Sequence, residues 1–311
     1  MSSDINNNNT ADPDTGPAIY VENLTFTHSP GAEPALSNLN LSLPRGSRTL
    51  LIGANGAGKS TLLQLLAGKR LLPKSSIVRV LGADVFTRTS ARITFLGTEW
   101  ASNPVVRGDI AVSHFLDSVG GYRHAERRDR LLDLLDVDLD WHMHMISDGE
   151  RRRVQLVMGL MAPWDVLLLD EVTVDLDVLV RDELLTFLKK ESESRGATIL
   201  YATHIFDGLN AFPTSIIHMR LGEIVGEPLP WPSPSRLIEL VALPTTIDSE
   251  FTRSGSTLHM TALQWLKGDR EHRRELERNG RKMRGARRAV NGSDSVPTDS
   301  ETFFRKYDYN N

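Results

Sequence analysis

Nine consecutive residues, Gly53, Ala54, Asn55, Gly56, Ala57, Gly58, Lys59, Ser60 and Thr61, are of the types and spacing needed to hold a triphosphate. The run fits G-x-x-x-x-G-K-[ST]. Glycines let successive backbone N–H groups turn toward one anion, and the N-terminus of a following helix adds its positive end there. Lys59 supplies a mobile cation for β- and γ-phosphates. The Ser60 hydroxyl can bind Mg²⁺, and Thr61 braces the first helical turn. A second acidic pair, Asp170-Glu171, closes the apolar run Val166-Leu167-Leu168-Leu169. Carboxylates at the C-terminal edge of a parallel sheet lie near such a phosphate crevice. Asp170 is expected to hold the metal and Glu171 to polarise the attacking water, which is the division of labour hydrolysis needs.

These residues require a strand, loop and helix to place them. Arg48–Ile52 reads as a buried parallel strand. Thr61–Ala67 reads as a helix closed by Gly68. Ala18–His28 and Ala35–Leu43 alternate as antiparallel strands joined by a Pro/Gly turn. Ser76–Leu81, Ile93–Leu96, Val166–Leu169 and Thr198–Ala202 read as further strands. Asp109–Asp138, Asp148–Met161 and Val178–Arg195 read as helical. Ser215–Gly226 reads as a hairpin turning at Gly222.

Composition sets bounds. The chain has 311 residues, with 40% hydrophobic and 24% charged, which is ordinary for a water-soluble globular protein. No apolar run reaches the length of a membrane span. The segment 1–16 is polar and Asn-rich, lacks the apolar core of an export signal, and is expected to be disordered. Cysteine is absent, so disulfides, thiolate metal sites and cysteine nucleophiles are excluded. Cytosol or nucleus is the expected location. The net charge of −4 points to no particular partner, but its distribution is uneven. Leu263–Val290 holds ten Lys/Arg against four Asp/Glu, and Arg278–Arg288 is wholly basic among its charged residues. A block of this kind either binds nucleic acid or is a solvated helix end. Trp265 is its one aromatic, which argues against a specific single-strand reader, and tight binding is not expected because Pro297 and the acidic Asp294, Asp299 and Glu301 follow closely.

The stretch Ile146-Ser147-Asp148-Gly149-Glu150-Arg151 lies before the acidic strand, and there the chain resembles the ATP-binding cassette (ABC) ATPases. Their signature is Leu-Ser-Gly-Gly-Gln. Ser147 and Gly149 match it, whereas Asp148 and Glu150 depart from it. Ser147 and Glu150 also have capping-box spacing. The resemblance implies a P-loop NTPase cassette of the α/β class. It would combine a RecA-like core, an antiparallel β subdomain and a helical signature subdomain at about 98–163. The cassette would span 17–230, and 231–311 would be an extension with a basic helix and a disordered tail. The resemblance further implies that Val174-Asp175-Leu176-Asp177 is the D-loop, with Asp177 at its acidic position, and that His204 is the switch histidine at the γ-phosphate. It places His28 where an aromatic stacks on adenine, with Tyr20 and Phe26 as substitutes. At the Q-loop position Thr98 replaces glutamine, with Glu99 beside it.

The stretches Ser147–Asp177, Tyr201–Leu209 and Leu96-Gly97-Thr98-Glu99-Trp100 are similar to the soluble I-type ABC proteins. That group includes plant forms and a fungal factor of the CCR-NOT complex. A single cassette implies a head-to-tail dimer, homo- or heteromeric, with two ATP molecules at its interface and Ser147 and Gly149 facing the ATP of the other subunit. Three roles follow from the resemblance: a regulatory ATPase of a CCR-NOT-like complex, a detached ATP-binding subunit of a membrane transporter, or a nucleic-acid-associated ABC protein. The first is the leading expectation, with no membrane insertion of the chain itself.

Overall fold

A computed structural model describes residues 16–71, 76–85, 92–102, 104–232 and 257–280, apart from the side chains of 101, 102, 104 and 105. The N-terminal segment 1–15 and the basic stretch beyond 280 lie outside the described residues. Residues up to Asp269 fall in one compact unit; of the second, Arg270–Asn311, only 270–280 is described.

Two sheets carry the first unit. An antiparallel sheet has the order β2–β1–β4–β5, from β1 (Ile19–Phe26), β2 (Leu36–Leu43), β4 (Ile77–Val80) and β5 (Ala83–Asp84). The larger sheet has the order β10–β9–β3–β8–β7–β6. Its strands are β3 (Arg48–Ile52), β6 (Ile93–Leu96), β7 (Val166–Asp170), β8 (Thr198–Ala202), β9 (Ser215–Arg220) and β10 (Glu223–Ile224). β11 (Leu229–Pro230) pairs with β9. Strands β9, β3, β8, β7 and β6 run parallel.

Side-chain alternation in these strands divides the core between the two sheet faces. Leu51, Val166, Leu168, Leu200 and Ala202 pack with β1, β2 and helix α1 (Lys59–Leu66). Leu50, Leu167, Leu169, Ile199 and Tyr201 pack on the other face. That face is covered by α4 (Asp148–Leu160) and α5 (Val178–Arg195), and the same cluster takes in α2 (Val112–Ser118) and α3 (Ala125–Leu134). Burial on both faces explains why β3, β7 and β8 are continuous apolar runs.

The register places the functional loops. Leu51 of β3 and Asp170 of β7 both pair with Ala202 of β8, and Leu96 pairs with Leu169. The loops starting at Gly53, Glu171, Thr203 and Gly97 therefore leave the same sheet edge at about the same level.

The C-terminal helix starts upstream of the basic block Leu263–Val290. α6 spans Thr257–Arg278, beginning six residues before Leu263. Leu258 and Ala262 are buried in the main core. The helix carries five Lys/Arg and four Asp/Glu, so it is nearly neutral, and most of the basic excess lies beyond it. The region read as helical, Asp109–Asp138, holds α2, a 3-10 turn at Gly121–His124 and α3.

Candidate active site

The glycine-rich loop runs from the end of β3 into α1. Gly58, just before the helix, has φ of 102°. A Cβ there would lie 2.7 Å from Leu36 Cδ2 and 2.9 Å from the Ala35 carbonyl oxygen, so a side chain is excluded by both dihedral and space. Lys59 is buried. Its Nζ donates to the carbonyl oxygens of Gly53 at 2.8 Å and Ala54 at 3.3 Å. Burial lowers the Lys59 pKa, while the charges of Glu171 and Asp170 oppose that shift. The ammonium thus lies between the loop and the acidic pair.

Asp170 ends β7 and is buried. Burial raises its carboxyl above the ordinary range; a hydrogen bond with Ser60 works against this, and the charge of Glu171 adds to it. Asp170 Oδ1 is buried and has no hydrogen-bond partner. A buried carboxylate oxygen without a partner is costly unless a cation takes that place. Ser60 and Asp170 together offer the hard oxygen ligands that suit Mg²⁺.

Glu171 breaks from the strand with φ of 53°, an uncommon conformation for a residue with a side chain. Its N–H donates to Ala202 O at 2.9 Å. That turn directs the carboxylate sideways, where Glu171 Oε1 lies 3.3 Å from His204 Nδ1. Both side chains remain partly exposed, at 28% and 53%, so water reaches them. A carboxylate held by an imidazole at a phosphate crevice can orient a water and accept its proton.

The signature segment opens α4 with a complete capping box. Ser147 Oγ accepts from Glu150 N at 3.2 Å and donates to Glu150 Oε2 at 2.7 Å. The same Oε2 accepts from Ser147 N at 2.8 Å. Those bonds hold the Glu150 carboxyl below the usual carboxylate range. Asp148, the departure from glycine, does not stand as an uncompensated charge. Arg151 donates to it at 2.6 Å, and Arg107 lies 3.5 Å away. Gly149 faces the D-loop; a Cβ there would sit 2.9 Å from Asp175 O.

Three adjacent arginines on α4 tie the signature to the rest of the site, a role the sequence reading missed. Arg151 is buried and donates to the carbonyls of Met143 and Ile146, both at 2.9 Å. Arg152 is buried, donates to Gly97 O at 3.0 Å and lies 3.7 Å from Asp175. Arg153 lies 3.3 Å from Asp177 Oδ2. Asp177 in turn caps α5 by accepting from Val180 N at 3.0 Å.

At the Q-loop position Thr98 opens a 3-10 turn. Glu99 accepts a hydrogen bond from Gln64 of α1, and its charge raises the Asp170 carboxyl further. His28 Nε2 lies 3.4 Å from Thr61 Oγ1 and Nδ1 lies 3.4 Å from an Arg70 nitrogen, so His28 borders the phosphate loop. Of its two substitutes, Phe26 is buried in the core and the Tyr20 hydroxyl donates to Glu22. Trp265 stacks on His218 with ring centroids 4.7 Å apart, so the ring considered for base stacking packs within the protein. His218 Nε2 bonds Asp269 at 2.9 Å, which further pins α6 to β9.

A glycine-rich loop before a helix, an acidic strand end, a histidine beside it and a capped helix are the arrangement expected of the ATP-binding cassette class of P-loop ATPase. The ABC transporter family profile matches residues 36–174. CCR4-associated factor 16 of Saccharomyces cerevisiae is 42% identical over 278 residues, covering 82% of this chain and 96% of the yeast protein. ABC transporter I family member 21 of Arabidopsis thaliana is 46% identical over 217 residues, covering 67% of this chain and 76% of the plant protein. The chain belongs to the ABC ATPase family, is similar to its I-type members, and is an ATP-binding enzyme of that class. A solved cassette dimer bound to ADP and Pi shares the fold, with a TM-score of 0.56 at 22% identity over 67% of this chain and 97% of that one. No described helix is long and apolar enough to cross a membrane.

Proposed function

We propose that the chain hydrolyses ATP at a head-to-tail dimer interface and uses that cycle to switch a CCR-NOT-like regulatory complex in the cytoplasm or nucleus. The observation that carries the catalytic reading is the Glu171–His204 pair, held 3.3 Å apart beside Lys59 and Asp170. The backbone N–H groups of Gly53 to Thr61 cradle the phosphates. Lys59 exchanges its loop carbonyls for β- and γ-phosphate oxygens. Ser60 and Asp170 would hold Mg²⁺, which when bound would neutralise phosphate charge. Glu171 accepts the proton of the attacking water, and His204 fixes the direction of that carboxylate. Ser147 and Gly149 face the γ-phosphate held by a second subunit, and the Asp148 charge is offset there by Arg151. His28 packs on the adenine.

The regulatory role rests on likeness to CCR4-associated factor 16 across nearly the whole yeast protein. Thr98 and Glu99 at the Q-loop position favour it too, because Glu99 is engaged with Gln64 inside the cassette. A transport role is the second reading. It is favoured by likeness to a bacterial energy-coupling factor transporter ATP-binding protein, 34% identical over 67% of this chain.

Glu171→Gln separates these readings. The variant is expected to bind ATP, lose turnover and run as a nucleotide-dependent dimer in light scattering. Wild-type turnover would remove Glu171 from the base role. Affinity capture with the trapped variant is expected to bring down CCR-NOT-type subunits; membrane permeases in their place would establish the transport reading.

A further inference from the structure

A second constellation lies on the helical part of the cassette, away from the phosphate loop. Residues 109–112 and 141–143 form a short antiparallel ribbon, with a bridge between Ala111 and His142. Val112 N donates to Trp141 O at 2.8 Å and Met143 N to Ile110 O at 2.9 Å. Alternation along the ribbon buries Met143 fully and turns His142 and His144 outward. Asp109 comes from the facing strand. Its Oδ1 lies 2.7 Å from His142 Nδ1 and 3.2 Å from His144 Nδ1. The three donor atoms all lie within 4.8 Å of one another.

We propose that Asp109, His142 and His144 form a binding site for a divalent transition-metal ion, of which Zn²⁺ is the best match. Two imidazoles and a carboxylate are a common three-ligand set for zinc, with a fourth position left to water. Bonds of about 2.0–2.2 Å place tetrahedral donors roughly 3.3 Å apart. The 3.2 Å between Asp109 and His144 is close to that spacing, and side-chain rotation would open the 2.7 Å contact to His142 and adjust the two imidazoles, whose donor atoms lie within 4.8 Å of one another. All three side chains are solvent-accessible, between 40% and 73%, so an ion can enter.

The backbone is already fixed. Arg151 holds the Met143 carbonyl from below at 2.9 Å, so little ordering cost falls on the ion. Imidazole ligands select against Mg²⁺, which prefers oxygen donors, so this site does not compete for the nucleotide's cation. His144 stands three residues before Ser147, and a bound ion would lock the segment that leads into the signature helix.

The test is titration of the full chain with Zn²⁺ by calorimetry in excess Mg²⁺, with Co²⁺ absorption as a readout of ligand geometry. The expected result is one ion per chain with micromolar or tighter affinity. Asp109→Ala, His142→Ala and His144→Ala should each weaken binding at least about tenfold. His142→Gln and His144→Gln repeat the test with retained size, and ATP binding by each variant checks the fold. No saturable binding below about 100 µM would overturn the site. Undiminished affinity in the variants, or a loss confined to one histidine, would overturn it as well. Failure here leaves the nucleotide site untouched, since none of the three residues belongs to it.

Discussion

Ser147 and Glu150 allow capping and catalysis to be separated in one experiment. In the described chain the Ser147 proton is directed at Glu150 Oε2 over 2.7 Å. To meet a γ-phosphate across a dimer, the hydroxyl must leave that carboxylate. Ser147→Ala removes a helix N-cap, which costs about 1 kcal/mol. For a domain of this size the melting temperature should fall by roughly 2–4 °C. If Ser147 also reaches phosphate, a charge-assisted hydrogen bond of about 1.5–3 kcal/mol is lost besides. That corresponds to roughly a 10–150-fold fall in kcat/KM. Glu150→Gln acts in the other direction. It replaces a charged competitor for the serine proton by a neutral one, a difference of about 1 kcal/mol, and should raise kcat/KM about fivefold while slightly lowering stability. Phosphate release across an ATP range, alongside thermal melting, measures both effects. Ser147→Ala with kcat/KM within about threefold of wild type, yet with the full loss of melting temperature, would confine Ser147 to capping and refute the shared-site reasoning.

Further outcomes follow from the same geometry. Because Glu150 is held below its ordinary value, its capping contribution is complete above the unfolded carboxyl pKa and is lost as pH falls through the lower folded value. The stability difference between wild type and Glu150→Gln should therefore shrink on acidification below about pH 4, measured by melting at stepped pH. Gly149→Ala would place a Cβ 2.9 Å from Asp175 O, so that backbone must shift; a lower melting temperature with reduced ATPase is expected, and unchanged ATPase would remove the Asp175 contact from the mechanism. Lys59→Ala should abolish nucleotide binding in equilibrium dialysis, and retention of ATP affinity would displace the ammonium from its role. His28→Ala should weaken ATP by on the order of 1 kcal/mol but leave triphosphate binding unchanged, as read by competition.

The phosphate loop, the acidic strand and the signature helix were legible because their physics is local. Strands buried on both faces are continuous apolar runs, and Ser147 with Glu150 three residues on is a complete capping instruction. In sequence Asp148 looks like a bare negative charge, because its compensation comes from Arg151 one turn along and from Arg107 forty-one residues earlier. The run Arg151-Arg152-Arg153 looks in sequence like a solvated basic face. Arg152 becomes buried only once the Gly97 and Asp175 loops fold against it, and Arg151 once the carbonyls of Met143 and Ile146 turn onto it. The start of α6 is obscured in the sequence for a different reason. Leu258, Ala262 and Trp265 mark its inner face at helical spacing, but the basic block downstream dominated the composition. His142-x-His144 is visible as an alternating pair, whereas Asp109 is brought to it only by non-local pairing.

The closure of α6 onto β9 sets a clock on synthesis. His218 leaves the ribosome 51 residues before its partner Asp269. At ordinary elongation rates that gap lasts roughly 3–10 s. Throughout it, β9 and the parallel strands beside it can pair, because all of them precede that point in the chain. The surface that Leu258 and Ala262 later cover stays wet, and His218 lacks its carboxylate. The nascent cassette thus passes through a stage with its nucleotide loops assembled and one apolar flank open, which is the stage a chaperone or an assembly partner would meet.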